Sequence, residues 1–130
     1  MALAKLNLVT MQEGTPKQVR LDYLREISGN NPELIKEFIQ EALGQSDQIM
    51  PEINQALALH DFDKVSRLCH MLKSSMKIFH SDLLVELLSS LEVHASDDSQ
   101  HIHVTPLGVR LNELMAGWKS ELEDEKKALG

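Results

Sequence analysis

Apolar residues recur at helical spacing along most of the chain and predict four long amphipathic helices. The first begins at Asn31-Pro32, where asparagine suits the N-cap and proline the first helical position. Its apolar positions stay in phase on both sides of Pro51, so we expect the proline to bend this helix rather than end it before His60-Asp61. The members of this stripe are Ile35, Phe38, Ala42, Ile49, Ile53, Ala56 and Leu57.

Three further long segments complete the pattern. One helix is predicted from near Asp61 to near Phe79, and Ser81 can cap the next helix. A polar stretch from Ala95 to Val104 predicts one long loop, after which Thr105-Pro106 starts the last helix. The predicted inward residues of the last two helices are Leu83, Leu84, Leu87, Leu88 and Leu91, then Leu107, Leu111, Leu114, Trp118 and Leu122.

These segments predict an all-α fold, namely an antiparallel, up-down-up-down four-helix bundle, because no strand pattern competes with them. An additional short N-terminal helix is expected where Leu21, Leu24 and Ile27 share one side. Residues 1–17 show no sustained period and are predicted to be a mobile or loosely docked tail. Residues 18–127 are then expected to form a single domain, which a chain of 130 residues can fill with one core.

Composition narrows the classes of function. Thirteen lysines and arginines against 20 acidic residues give a formal charge of −7 without a basic run, which disfavours nucleic-acid binding. No apolar run approaches the roughly 20 residues of a membrane span, and the first residues lack the pattern of a signal peptide. The single Cys69 excludes an internal disulfide and fits a reducing compartment. We therefore expect a soluble, cytoplasmic protein that binds neither nucleic acid nor membranes.

His70 is the candidate reactive residue. On a helical wheel the apolar positions of its helix fall roughly 160–220° away from it, so the imidazole should face water. Its own face carries Arg67, Lys73 and Lys77. An accessible imidazole that is nucleophilic near neutral pH, flanked by cations, suits a residue that must hold a phosphoryl group.

Other chemistry finds less support in the sequence. The pair His101-Ile-His103 offers two possible metal ligands, but no second pair follows at a defined spacing, and no Glu-x-x-His motif lies in the helices. No Ser-His-acid set and no glycine-rich phosphate loop is present either. We expect neither a metal site nor hydrolytic catalysis.

The string His70-Met-Leu-Lys73-Ser-Ser75 resembles the motif His-x-Leu-Lys-Gly-Ser of the histidine-containing phosphotransfer (HPt) family. The likeness runs from about Leu21 to Leu91, and it includes Asn-Pro-Glu-Leu at the start of the first long helix. The last helix is similar only in length and pattern. The resemblance implies a helical bundle that carries phosphoryl groups between aspartates of receiver domains.

The resemblance also implies roles for single residues. His70 would be the phosphoacceptor, and Lys73 would face the phosphoryl group. Lys77, one turn further on, is a second phosphoryl-stabilising candidate because of its place on the same helix face alone. Glu92, 22 residues beyond the histidine, resembles the glutamine or glutamate that orients the imidazole in the family. A plain surface carboxylate is an equally open interpretation of Glu92.

Two positions depart from the family pattern. Ser74 stands where the family commonly has a glycine that lets the receiver approach, and His80 replaces a helix-ending glycine. Met71 and Ile78 lie at the edge between core and solvent. They are either ordinary boundary residues or an apolar rim that contacts the partner beside Ser74.

The resemblance implies a phosphocarrier without kinase activity of its own, which takes a phosphoryl group from one receiver aspartate and passes it to another. Its partners would be response-regulator receiver domains and hybrid histidine kinases. It would need no cofactor, since the Mg²⁺ for transfer is expected on the receiver. The alternative is a helical-bundle adaptor or decoy that binds a receiver domain or histidine kinase without carrying phosphate.

Overall fold

The computed structural model describes residues 17–130, and this part of the chain is helical with no strand. Most of the tail predicted at residues 1–17 lies outside the described residues, so the division into tail and domain stays a prediction. The helices are α1 (Asp22–Ser28), α2 (Pro32–Ala58), α3 (Phe62–Ile78), α4 (Asp82–Ser96), a 3₁₀ helix (Asp98–His103) and α5 (Val104–Ala128).

The four long helices form a bundle in which each contacts two neighbours. Helix α2 packs on α3, α3 on α4, α4 on α5, and α5 returns to α2, while α1 packs on α2. Polar pairs such as Asp47–Lys119 and Asn54–Asn112 show that α2 and α5 run antiparallel. The predicted all-α bundle with a short leading helix is confirmed, and the alternation of all four directions stays a prediction.

The core is built from the predicted apolar stripes. Leu68 and Leu72 of α3, Leu87 of α4 and Leu114 of α5 belong to one buried cluster, and none is more than 7% exposed. Burying each such leucine contributes about 1.5–3 kcal/mol. Because this cluster fixes the rotation of α3 about its axis, it also fixes which residues of α3 reach the surface.

Helix α2 begins and continues as its sequence predicts. The Asn31 side chain accepts hydrogen bonds from two backbone N–H groups of the first turn, at 3.0 and 3.3 Å. Pro51 lies inside the helix, which runs on to Ala58. The buried hydroxyl of Ser46, which interrupts the apolar stripe, donates to the carbonyl oxygen of Leu43 at 2.9 Å. The hydroxyl of Ser46 is therefore buried with a hydrogen-bond partner.

Two histidines end helices in the left-handed conformation. His60 has φ of 56° and His80 has φ of 52°, values that favour glycine. In each turn the next N–H bonds back into the preceding helix, as Ser81 N–H does to the carbonyl oxygen of Met76 at 3.0 Å. The turn after α3 is therefore closed although His80 replaces the family's glycine, at a conformational cost of about 1–2 kcal/mol.

The prediction of a long loop from Ala95 to Val104 is wrong. Helix α4 continues to Ser96, and a 3₁₀ helix fills most of the gap before α5. The Asp97 side chain accepts the backbone N–H of Ser99 at 3.0 Å, which starts this short helix. None of the residues of this short helix is fully buried, so its sequence shows no apolar period and resembled a loop.

Two smaller predictions are also wrong. Ile27 is 51% exposed rather than inward, because Leu24 is the buried residue of the short helix α1. Ser81 does not cap α4 through its side chain; its hydroxyl hydrogen-bonds to the carbonyl oxygen of Gln18. This bond and the carboxylate of Glu121, which accepts the N–H of Gln18 at 2.9 Å, hold the segment before α1 against the bundle.

Candidate functional site

His70 lies on the outer face of α3, and its side chain is 68% exposed. The buried residues Val65, Leu68 and Leu72 occupy the opposite face of the same helix. The apolar spacing along α3 therefore predicted the direction of the imidazole correctly. An exposed ring is accessible to the active site of another protein.

Glu92 of α4 contacts both His70 and Lys73 of α3. Its Oε1 lies 2.8 Å from Nδ1 of His70, and its Oε2 lies 2.9 Å from Nζ of Lys73. His70 and Lys73 are one helical turn apart, so both side chains reach one carboxylate across the seam between α3 and α4. Of the two open interpretations of Glu92, the structure favours contact with the imidazole over a solitary surface carboxylate.

The charge of Glu92 follows from these contacts. Partial burial acts to raise the pKa of Glu92, but the hydrogen bonds from Lys73 and then His70 outweigh it and hold the pKa below its usual value. The carboxylate is thus ionised near neutral pH and can only accept hydrogen bonds. In the neutral ring the hydrogen is therefore on Nδ1 of His70, which leaves the lone pair on Nε2.

Ser66 holds the backbone of Glu92, a contact that sequence reasoning missed. Its hydroxyl donates to the carbonyl oxygen of Glu92 at 3.1 Å. Ser66 lies one turn before His70 on the same face of α3, and this spacing is the only signal in the sequence. The bond ties α3 to α4 at the level of the site.

Cys69 adjoins His70 in sequence but does not offer a second nucleophile. The thiol is buried, and its burial, together with the nearby charge of Glu92, raises the pKa of Cys69 to about 12. Near neutral pH it is therefore protonated and unreactive. Of these two neighbouring side chains, only that of His70 is exposed.

The remaining predicted site residues lie around this cluster without joining it. Lys77 is exposed and forms no salt bridge within residues 17–130. Ser74 is exposed, Met71 is 51% exposed, and Ile78 is half-buried against the core. The structure thus brings together His70, Lys73 and Glu92, and both interpretations of Met71 and Ile78 stay open.

The described part of the chain offers no cluster of three or more histidine, cysteine or acidic side chains suited to a metal ion. The two histidines of the 3₁₀ helix make separate contacts instead. The ring of His101 lies 4.0 Å from that of Phe62, whereas His103 packs edge-on against His94. Of the described helices, none is both long and apolar enough to span a bilayer.

Comparison with known families agrees with this geometry. Residues 33–127 match the family model of the Hpt domain, which covers nearly all of α2 and everything from there to the end of α5 except its last residue. The match begins after α1, although the sequence resemblance extended back to Leu21. Neither curated proteins nor solved structures gave a match. The chain belongs to the Hpt domain family.

Proposed function

We propose that this protein is a phosphocarrier that accepts a phosphoryl group on Nε2 of His70 from a receiver-domain aspartate and passes it to another receiver domain. The observation that carries the proposal is the 2.8 Å contact between Glu92 and Nδ1 of an otherwise exposed His70. Membership of the Hpt family supports histidine phosphotransfer in phosphorelays in general.

The proposed step is a direct displacement at phosphorus. The lone pair of His70 Nε2 forms the N–P bond while the bond between phosphorus and the aspartyl oxygen breaks, and the receiver recovers its carboxylate. The hydrogen on Nδ1 stays in place, so the phosphorylated ring carries a positive charge. Glu92, 2.8 Å from Nδ1, stabilises that charge by a charge-assisted hydrogen bond. The reverse step delivers the phosphoryl group to the next receiver.

Lys73 is the proposed partner of the phosphoryl oxygens. Its ammonium group is bound to Glu92 at 2.9 Å and lies one turn from His70. An ammonium group has three hydrogens, so Lys73 can donate to a phosphoryl oxygen as well as to the carboxylate. Lys77, exposed and two turns away, contributes a weaker, longer-range attraction.

The proposed partners are response-regulator receiver domains and hybrid histidine kinases, and Ser74, Met71 and Ile78 would form the adjoining contact surface. The small side chain of Ser74 leaves room for a receiver to approach His70. The Mg²⁺ for transfer would be held by the receiver, and the carrier would need no cofactor and have no kinase activity. We propose a cytoplasmic location, which the free, buried thiol of Cys69 fits.

The test is transfer of labelled phosphate from a phosphorylated receiver domain in the presence of Mg²⁺. The wild-type chain should gain an acid-labile label, and His70→Gln should gain none while remaining folded. His80→Asn is a matched control, since it removes another exposed histidine at a position where asparagine tolerates positive φ. Full labelling of His70→Gln would refute the assignment. Receiver binding without any labelling would favour the adaptor or decoy instead.

A further inference from the structure

A groove of about 620 Å³ lies between α2 and α5. Since each long helix contacts two neighbours, this seam is opposite the α3–α4 seam that holds His70 and Glu92. Four of the nine lysines line the groove in a chain of net charge −7. These are Lys36, Lys119, Lys126 and Lys127.

The two ends of the groove are closed by polar contacts. At one end Lys119 Nζ lies 2.8 Å from Oδ1 of Asp47. At the other end Lys36 Nζ lies 2.6 Å from the carbonyl oxygen of Gly130 and 3.3 Å from the exposed carboxylate of Glu33. Two of the four ammonium groups therefore already have a carboxylate partner.

The centre of the groove differs from its ends. Lys126 donates to the side-chain oxygen of Gln40, which is neutral. Lys127 follows it directly and forms no salt bridge to any described residue, and Glu123 bridges neither of them. Between the two ends, Lys126 and Lys127 thus form no salt bridge with a described carboxylate, although Glu123 lines the same groove.

Gly44 opens the groove beside these lysines. It lies in the interior of α2, between Gln40 and Asp47, and a Cβ built there would meet no atom within 4 Å. A glycine inside a helix is less favourable than alanine, and no close packing explains its presence here. The missing side chain leaves open space in the groove that Lys126 also lines.

We propose that this groove binds a small phosphate-bearing anion with two or more negative charges, of the pyrophosphate class. Its volume lies within the roughly 300–1,000 Å³ of small-molecule sites, and its closed ends favour a short ligand over an extended chain. Lysine ammonium groups bind phosphate oxygens as point charges, and Lys126 and Lys127 supply two such charges to the groove. This site is separate from His70 and does not depend on the proposed phosphotransfer.

The experiment is a titration of the full, ¹⁵N-labelled chain with pyrophosphate, followed by amide chemical shifts. Saturable shifts should centre on Gly44 and the facing residues of α5, and they should weaken as salt screens the charges. Lys126→Gln/Lys127→Gln should lower the affinity roughly 4–25-fold, at about 2–5-fold for each exposed charge. The control Lys64→Gln/Arg25→Gln removes the same net charge elsewhere and should keep the affinity.

Two further arms make the assignment specific. Gly44→Leu fills the opening with a good helix former, so it should abolish the shifts while the protein stays folded. Binding should persist in His70→Gln; its loss there would place the anion at the phosphotransfer site and overturn the proposal. Absence of saturation at Gly44, equal losses in both double variants, or equally tight binding of citrate would each overturn it as well.

Discussion

Lys73 and Glu92 are joined by a 2.9 Å salt bridge across the α3–α4 seam, so the lysine closest to His70 in the motif already has a carboxylate partner. The same carboxylate also contacts the imidazole. Because one acidic side chain serves both residues, a change at Glu92 alters the orientation of the histidine and the freedom of the lysine together.

Glu92→Gln should slow phosphotransfer to His70 roughly 5–150-fold. The amide oxygen of glutamine can still accept the Nδ1 hydrogen, but the charge that stabilises the phosphorylated ring is lost, at about 1–3 kcal/mol. Rapid-quench transfer from a phosphorylated receiver measures the rate. Glu86→Gln removes a charge from the same helix without contacting His70 and should leave the rate unchanged. Equal transfer rates in Glu92→Gln and Glu86→Gln would show that the charge of Glu92 does not contribute to phosphotransfer.

Lys73→Ala should slow transfer more than Lys77→Ala. Lys73 lies in the cluster with His70 and Glu92, whereas Lys77 is two turns from the histidine and exposed. For Lys73→Ala we expect a loss on the order of 1–3 kcal/mol in transition-state stabilisation. Initial rates at saturating receiver give the comparison, and full activity in both variants would show that the lysines are only solvated charges.

The carboxyl group of Glu92 should titrate below the ordinary glutamate value. Partial burial is the largest single effect and acts to raise the pKa of this group, but the hydrogen bonds and charges of Lys73 and His70 together outweigh it. The largest of the lowering effects is the hydrogen bond from Lys73. Carbon-detected NMR of the side chain gives the midpoint directly. In Lys73→Ala the midpoint should rise, while in Lys77→Ala it should stay where it is.

The same pKa predicts the direction of a pH effect on stability. Because the pKa of Glu92 is lower in the folded than in the unfolded chain, the ionised carboxylate stabilises the fold above the ordinary value of 4.5. This contribution is lost as the pH falls through the lowered pKa. Urea denaturation should therefore show the stability of the wild-type chain converging on that of Glu92→Gln in acid. A difference that widens in acid would contradict the assigned sign.

The sequence correctly predicted the features that depend on one helix alone, such as which side chains of α3 are buried and which are exposed. The apolar spacing of α3 alone determines that Leu72 is buried and His70 exposed, since both follow from one rotation about one axis. The contact with Glu92 depends on how α3 docks against α4, which periodicity does not contain. Only the resemblance to a family suggested the contact between His70 and Glu92. Neither periodicity nor the resemblance predicted the hydrogen bond from Ser66 to the Glu92 carbonyl oxygen.

Leu72→Ala should cost about 2–5 kcal/mol of unfolding free energy, because it opens a cavity in the shared core. His70→Gln should change stability by less than about 1 kcal/mol, as expected for an exposed side chain. Denaturant midpoints of the two variants give the comparison. Equal destabilisation would mean that His70 is a packing residue and would remove the geometric basis of the phosphotransfer proposal.

Restoring glycine at the two positions that depart from the family motif should change the stability of the protein in opposite directions. His80→Gly relieves a left-handed conformation at φ of 52° and should stabilise the protein by about 1 kcal/mol, less whatever the edge-on contact with Tyr23 contributes. Ser74→Gly places glycine in the exposed interior of α3, where it should destabilise by about 0.5–1 kcal/mol. Thermal and urea unfolding of both variants would measure the difference. A loss of stability in His80→Gly would mean that the histidine ring contributes more to the turn than its backbone conformation costs.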